Sequence, residues 1–196
     1  MKVLVLGSGA REHALCWALA NSPLITKLLC APGNPGISEE AECFDIDINN
    51  NDEILDLSLK KNIDLVIPGP EIPLVNGIID VLNANNIKAF GPSKKAAQLE
   101  GSKKFTKEIC KSANIPTAEY KIFTNLENAL QHIENTNFPI VIKADGLAAG
   151  KGVVIANTSE EAKHAIINSF LGKFGDAGKT VLIEEFLQGV EASFFA

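Results

Sequence analysis

Apolar residues in this chain fall in short β-branched runs separated by amphipathic stretches, and the two periods alternate from the amino terminus onward. The run Lys2-Val3-Leu4-Val5-Leu6 predicts a buried strand, and 11–20 predicts a helix. Further strands are expected at 25–31, 43–48, 64–67 and 88–90, with helices at 52–60 and at 73–83, the latter opened by Pro73. Such a rhythm predicts a parallel sheet with helices on its faces.

Beyond residue 91 the pattern changes. Residues 94–113 form the longest helical stretch, with Ser93 as a cap and Gly101 as a bend or break. The turn Asn114-Ile115-Pro116-Thr117 opens a second unit: strand 119–123, helix 126–133, strand 140–143, a glycine-rich loop, strand 153–156, helix 159–170 and strand 180–185. Two strands joined by a short loop imply an antiparallel pair, so this unit is α+β. Residues 191–196 read as one more strand, whose open edge would need a neighbour, and this predicts a chain that stops inside a larger fold. The expected class is therefore α/β: an open parallel-sheet domain over 1–91, a connecting helical segment over 92–116, and an α+β unit over 117–196, incomplete at its carboxyl end.

Composition narrows the function classes. With 196 residues, 46% of them hydrophobic, the chain has material for one large domain or two small ones that bury roughly 70% of the extended surface. A net charge of -6 gives no cationic footprint, so nucleic acid is not an expected partner. Cys16, Cys30, Cys43 and Cys110 lack Cys-x-x-Cys spacing, which suggests neither a disulfide framework nor a zinc site. The opening apolar run is too short for a signal-peptide core and no apolar stretch approaches 18 residues, so a cytosolic protein without a membrane span is expected.

The segment richest in chemistry runs from Lys143 through Asp145, Gly146, Gly150 and Lys151 to Gly152. It fails the P-loop pattern G-x-x-x-x-G-K-[ST], because only three residues separate Gly146 from Gly150, Gly152 follows Lys151, and a strand follows where a helix is required. It reads instead as a hairpin flap whose glycines admit phosphates to the backbone while Lys143 supplies a fixed charge, or else as a plain surface hairpin. In the first unit, Gly7-Ser8-Gly9-Ala10-Arg11-Glu12-His13 joins a strand to a helix, but Glu12 stands at the third glycine of the dinucleotide fingerprint. The turn suits a smaller phosphate or sugar ligand, or is simply tight; Arg11 either clamps an anion or faces solvent. Turns at Pro32–Gly36, Pro68–Glu71 and Phe90–Ser93 also follow strands, so they converge at the carboxyl ends of the sheet, where open α/β sheets bind ligands. Glu71, the carboxylate of that set, either orients a substrate amine or hydroxyl or is a helix-entry charge. Finally, an apolar strand at 180–183 runs into Glu184, Glu185, Phe186 and Leu187 with Glu191 beyond, a weak signal for reading a base and accepting ribose hydroxyls.

In order along the chain, Gly9-Ala10-Arg11-Glu12-His13, Ala31-Pro32-Gly33-Asn34, Gly69-Pro70-Glu71-Ile72-Pro73-Leu74, Leu99-Glu100-Gly101-Ser102-Lys103, the segment from Lys143 to Gly152, and Glu184-Glu185-Phe186-Leu187 with Glu191 resemble the glycinamide ribonucleotide synthetases of the ATP-grasp superfamily. The resemblance implies a pre-ATP-grasp, Rossmann-like domain followed by an ATP-grasp lid. It implies that Lys103 and Lys143 contact ATP phosphates as the catalytic lysines and that Gly146, Gly150, Lys151 and Gly152 form the covering flap. Glu184, Glu185, Phe186 and Leu187 would cradle adenine, Glu191 would take the ribose, and Gly9, Arg11 and Glu71 would lie beside a phosphoribosylamine site. The implied reaction joins glycine to 5-phosphoribosylamine with ATP, through a glycyl phosphate, in purine biosynthesis. Ligands for Mg2+ or Mn2+ are expected in a carboxyl-terminal half beyond this chain, with no metal ligands within it. This length alone is expected to be inactive, and a monomer is favoured. Another ATP-grasp ligase, such as a carboxylase, or a nucleotide-binding module without activity are the competing readings.

Overall fold

A computed structural model describes residues 1–147 and 151–194. Within the expected flap, 148–150 lie outside the described residues, so Gly150 is not placed. The chain divides into two compact units, Met1–Gln98 and Leu99–Ala196.

The first unit carries strands β1 (Lys2–Gly7), β2 (Lys27–Pro32), β3 (Glu42–Cys43), β4 (Leu65–Pro68) and β5 (Lys88–Ala89), all parallel, in the order β3-β2-β1-β4-β5. Helices α1 (Ala10–Ala20), α2 (Asn51–Lys61), α3 (Glu71–Asn76) and α4 (Ile78–Ala84) connect them, and α5 (Lys94–Gly101) follows. Both sheet faces are buried, which is why β1 is apolar without interruption. Leu4, Leu6, Leu29 and Val66 pack under Ile54 of α2 and Ile78 and Leu82 of α4, while Val3, Val5 and Cys30 pack with Cys16 of α1 and Ile37.

Two elements of this unit depart from expectation. The strand expected at 43–48 pairs only through Glu42–Cys43. Phe44, whose N–H still donates to the Cys30 carbonyl at 2.9 Å, and Ile46 and Ile48 pack against the core, so the alternation in that stretch reports one-sided burial where the pairing with β2 runs out. The helix expected at 73–83 breaks at Gly77, whose φ of 93° lies in the left-handed region, and a Cβ there would meet the Lys94 side chain at 2.9 Å.

The second unit holds α6 (Lys103–Ser112), α7 (Leu126–Ile133) and α8 (Ser159–Asn168) with strands β6 (Tyr120–Phe123), β7 (Ile140–Ala144), β8 (Val153–Ala156) and β9 (Val181–Glu185). The strands form an antiparallel sheet in the order β6-β9-β7-β8. Ser102 breaks the long helical pattern, its hydroxyl accepting the Phe105 N–H at 3.1 Å as the cap of α6. α8 ends at Asn168 and continues as a wider π-helical turn over Ser169–Lys173. On one sheet face Ile140, Ile142, Val181 and Ile183 build the core with Ala129 and Ile133 of α7 and Ala162 and Ile166 of α8. Period-two alternation sends Tyr120, Val141, Lys143 and Glu184 to the other face. Residues 191–194, expected to begin a strand, are irregular. Among the described residues no helix is long and apolar enough to cross a membrane.

Candidate functional site

The polar face of the second sheet gathers its lysines onto one buried carboxylate. Val141 on β7 lies directly opposite Glu184 on β9, so Lys143, two residues further on, is a diagonal neighbour of Glu184 on the same face. Its ammonium donates to Glu184 Oε2 at 2.9 Å. Lys107 of α6 reaches the same oxygen at 3.1 Å. Glu184 is only 3% exposed, and its Oε1, also buried, has no hydrogen-bond partner. A carboxylate this deep needs compensating charge, and two ammonium groups on one oxygen provide it.

Lys103 stands one helical turn before Lys107, on the same face of α6, and donates to the carbonyl of Gly146 at 2.9 Å. Burial is the main influence that lowers its pKa from the ordinary lysine value; Asp145 works in the opposite direction, and the neighbouring charge of Lys143 lowers it further. Asp145, the first residue after β7, accepts from Ser102 Oγ at 3.1 Å and from the Lys104 backbone N–H at 3.1 Å. It thereby ties the start of the expected flap to the amino end of the helix that carries Lys103. Three ammonium groups thus gather on this face, and Lys103 and Lys143, each donating to a single partner, keep donors for an anion. Among the described residues no three His, Cys, Asp or Glu side chains form a metal-binding group, and Asp145 and Glu184 are already engaged by lysines, a hydroxyl and an N–H, so they do not fit a metal ion.

The other residues expected here are placed less centrally. Gly146 has a φ of 112°. Gly152 accepts the Ala144 N–H at 2.8 Å, which closes the hairpin base, and Lys151 is exposed. The Glu185 carboxylate accepts the Glu119 N–H at 3.0 Å, and its own backbone N–H donates to the Glu119 carbonyl at 3.0 Å, extending the β6–β9 pairing. Phe186 and Leu187 follow β9 with exposed apolar side chains, and Glu191 is exposed in the irregular stretch beyond. A separate cavity of about 460 Å³ lies against β8 and α8, lined by Val154, Ile155, His164 and Phe174 among others, and includes none of the lysine cluster.

In the first unit the turns after β1, β2 and β4 do converge, because Gly7 pairs with Pro32 and Leu6 with Pro68 in parallel register. The order β3-β2-β1-β4-β5 reverses direction at β1, and Glu12 occupies that switch point. Its Oε2 accepts the Gly9 N–H at 2.7 Å, and a Cβ on Gly7, Gly9 or Gly69 would collide with its side chain. Glu12 therefore fills the space that a third glycine leaves open in dinucleotide sites. Arg11, at the start of α1, pairs with Glu71, at the start of α3, at 3.3 Å, both exposed. Asn34 adds a tie that sequence reading passed over, donating to the Ser8 carbonyl at 2.8 Å. Gly9, Arg11 and Glu71 are thus brought to one end of the sheet.

Lys107, Asp145 and Ser102 are the residues of the lysine cluster given no role in the sequence analysis. For Lys107 the signal was present, as the i+4 neighbour of Lys103 in an amphipathic helix. Its burial depends on the packing of residues 117–120 and β9 over it, which no helix-periodic pattern carries.

Comparison with known proteins identifies the family. The chain matches the family model for the phosphoribosylglycinamide synthetase N domain over residues 1–100 and that for the phosphoribosylglycinamide synthetase ATP-grasp (A) domain over 101–196. It is 58% identical over 195 residues to a phosphoribosylamine–glycine ligase of Mesorhizobium japonicum, covering 100% of this chain and 46% of that protein. A phosphoribosylamine–glycine ligase of Escherichia coli O157:H7 is 52% identical over 197 residues, with 99% and 46% covered. Among solved structures, the phosphoribosylamine–glycine ligase of Thermotoga maritima superposes with a TM-score of 0.77 at 30% identity, covering 97% of this chain and 45% of that one. The biotin carboxylase domain of Hydrogenobacter thermophilus 2-oxoglutarate carboxylase, solved with MgADP and bicarbonate, shares the fold with a TM-score of 0.74 at 22% identity, covering 95% and 44%. The chain spans about half the length of the curated relatives it matches.

Proposed function

The chain belongs to the phosphoribosylglycinamide synthetase family, and from this premise we propose that the full-length protein ligates glycine to 5-phosphoribosylamine at the expense of ATP, forming glycinamide ribonucleotide, ADP and phosphate. The observation that carries the proposal is the cluster of Lys103, Lys107 and Lys143 around buried Glu184, an anion-seeking face within the unit that matches the ATP-grasp model. In this reading Lys103 and Lys143 receive the ATP phosphates, and Lys103 exchanges its contact with the Gly146 carbonyl for a phosphate oxygen. The flap from Gly146 to Gly152, with Lys151, covers them; Gly150 within it lies outside the described residues. The segment Glu184–Leu187 holds adenine and Glu191 the ribose, while Gly9, Arg11 and Glu71 hold phosphoribosylamine. Mg2+ or Mn2+, which would neutralise phosphate charge when bound, finds no fitting ligand set among the described residues of this cluster.

Glycine's carboxylate is a poor acyl donor, because attack by an amine would have to expel oxide. The proposed path first transfers the γ-phosphoryl of ATP to a carboxylate oxygen, releasing ADP. The sugar amine then attacks the acyl carbon, the carbon–oxygen bond to phosphate breaks, and the amine loses a proton. No side chain serves as a nucleophile; the lysines contribute positioning and charge neutralisation. The likeness to carboxylases is below 25% identity and speaks to fold alone, so it favours no second reading.

An isotope experiment tests this path. Glycine labelled with oxygen-18 in its carboxylate, turned over by the full-length protein, is expected to deliver one labelled oxygen to each phosphate released. Unlabelled phosphate would rule out the glycyl phosphate.

A further inference from the structure

Lys107 is as buried as the core around it, 7% exposed, yet it carries a full charge. An ammonium has three N–H donors. All three of Lys107 are engaged: Thr117 Oγ1 at 2.8 Å, the Ala118 carbonyl at 2.9 Å and Glu184 Oε2 at 3.1 Å, with the Tyr120 ring 5.2 Å from the nitrogen. Unlike Lys103 and Lys143, it has no donor left for a phosphate. What it does hold is Glu184. Two ammonium groups fix Oε2 from two elements, α6 and β7, and leave Oε1 buried with its acceptor capacity unused. A buried carboxylate oxygen without a donor is costly, and a ligand N–H arriving there offsets that cost.

We propose that Lys107 is a positioning residue that sets base selection without touching the nucleotide, by holding Glu184 so that Oε1 meets the exocyclic amine of a 6-aminopurine. This rests on the nucleotide reading above. A 6-oxopurine presents an acceptor at the same place and is repelled by the carboxylate. With Lys107 removed, Oε2 is held by Lys143 alone, a partly exposed and flexible side chain, and the carboxylate turns with it. Selection for the amine then relaxes.

The test measures binding of MgADP and MgIDP to the full-length protein by calorimetry, in wild type, Lys107→Arg, Lys107→Met, Glu184→Gln and the Lys107→Met/Glu184→Gln double variant. Wild type is expected to prefer ADP. Lys107→Met is expected to lower the ADP-to-IDP affinity ratio by about fivefold, the worth of one hydrogen bond, and Lys107→Arg to retain most of it. A parallel loss for both nucleotides with an unchanged ratio would show that Lys107 only supports the fold, and would overturn the proposal. Because Lys107→Met leaves a buried charge imbalance that can unfold the unit, the double variant supplies the same decision from a neutral background. Adding Lys107→Met to Glu184→Gln is expected to leave the ratio where Glu184→Gln put it, and a further shift of comparable size contradicts action through Glu184. Absence of ADP binding in the folded wild type would instead refute the nucleotide site itself.

Discussion

Two buried glutamates define the two units at the level of single residues, and each is held differently. Glu12 closes a backbone turn, capping its own helix through the Gly9 N–H and filling the crevice between β1 and β4. Glu184 is compensated by charge, from Lys107 and Lys143. That difference was half legible in the sequence. Glu12 showed itself by breaking the glycine fingerprint, and Glu184 by ending an apolar strand. Lys107 showed only as the i+4 neighbour of Lys103, since a lysine on an amphipathic helix normally faces water and it is residues 117–120 and β9 packing over it that bury it. Lys143 is the partner with exposure to spare, so it is the one free to meet a ligand. Replacing Lys143 by Ala is expected to weaken ADP binding by the full-length protein about ten- to hundredfold, the worth of a hydrogen bond to a charged group. Glu184 stays compensated by Lys107, so the thermal midpoint should fall only modestly. Titration calorimetry beside a thermal melt checks both, and unchanged affinity would remove Lys143 from the site.

At the level of elements, the breaks matter as much as the helices. The continuous helical pattern over 94–113 is in fact α5 and α6, separated by Ser102, and the second start allows Lys103 and Lys107 to point together at β7 and β9. Gly101 marked the interruption in the sequence and the Ser102 cap is local, but its tie to Asp145 is tertiary. Asp145 holds this start in place through Ser102 and the Lys104 N–H. Asp145→Ala is therefore expected to destabilise the second unit by about 1 kcal/mol, the usual cost of a lost cap, and to weaken ADP binding by releasing Lys103. Asp145→Asn, which keeps an acceptor, should recover most of the stability. Urea unfolding of the full-length variants reads the first effect, and a stable Asp145→Ala protein with normal affinity would contradict the role. The expected strand at 43–48 teaches the converse lesson, because Phe44, Ile46 and Ile48 alternate and bury as a strand does while the backbone hydrogen bonds to β2 end with the Phe44 N–H.

At the level of the whole molecule, the parallel sheet was readable from the alternation of strands and helices and the antiparallel pairing of β7 with β8 from their short connection, whereas the polar face of the second sheet was not. The parallel unit converges its turns on the Glu12 crevice, and the antiparallel unit converges its lysines on Glu184. The chain spans 46% of the length of a relative in its family, so the proposed reaction is tested on the full-length protein. The most direct test is phosphate release from ATP by the full-length protein, with glycine and 5-phosphoribosylamine added singly and together. Release that requires both substrates is the predicted result; release with bicarbonate in place of glycine, or with neither substrate required, would contradict the assignment.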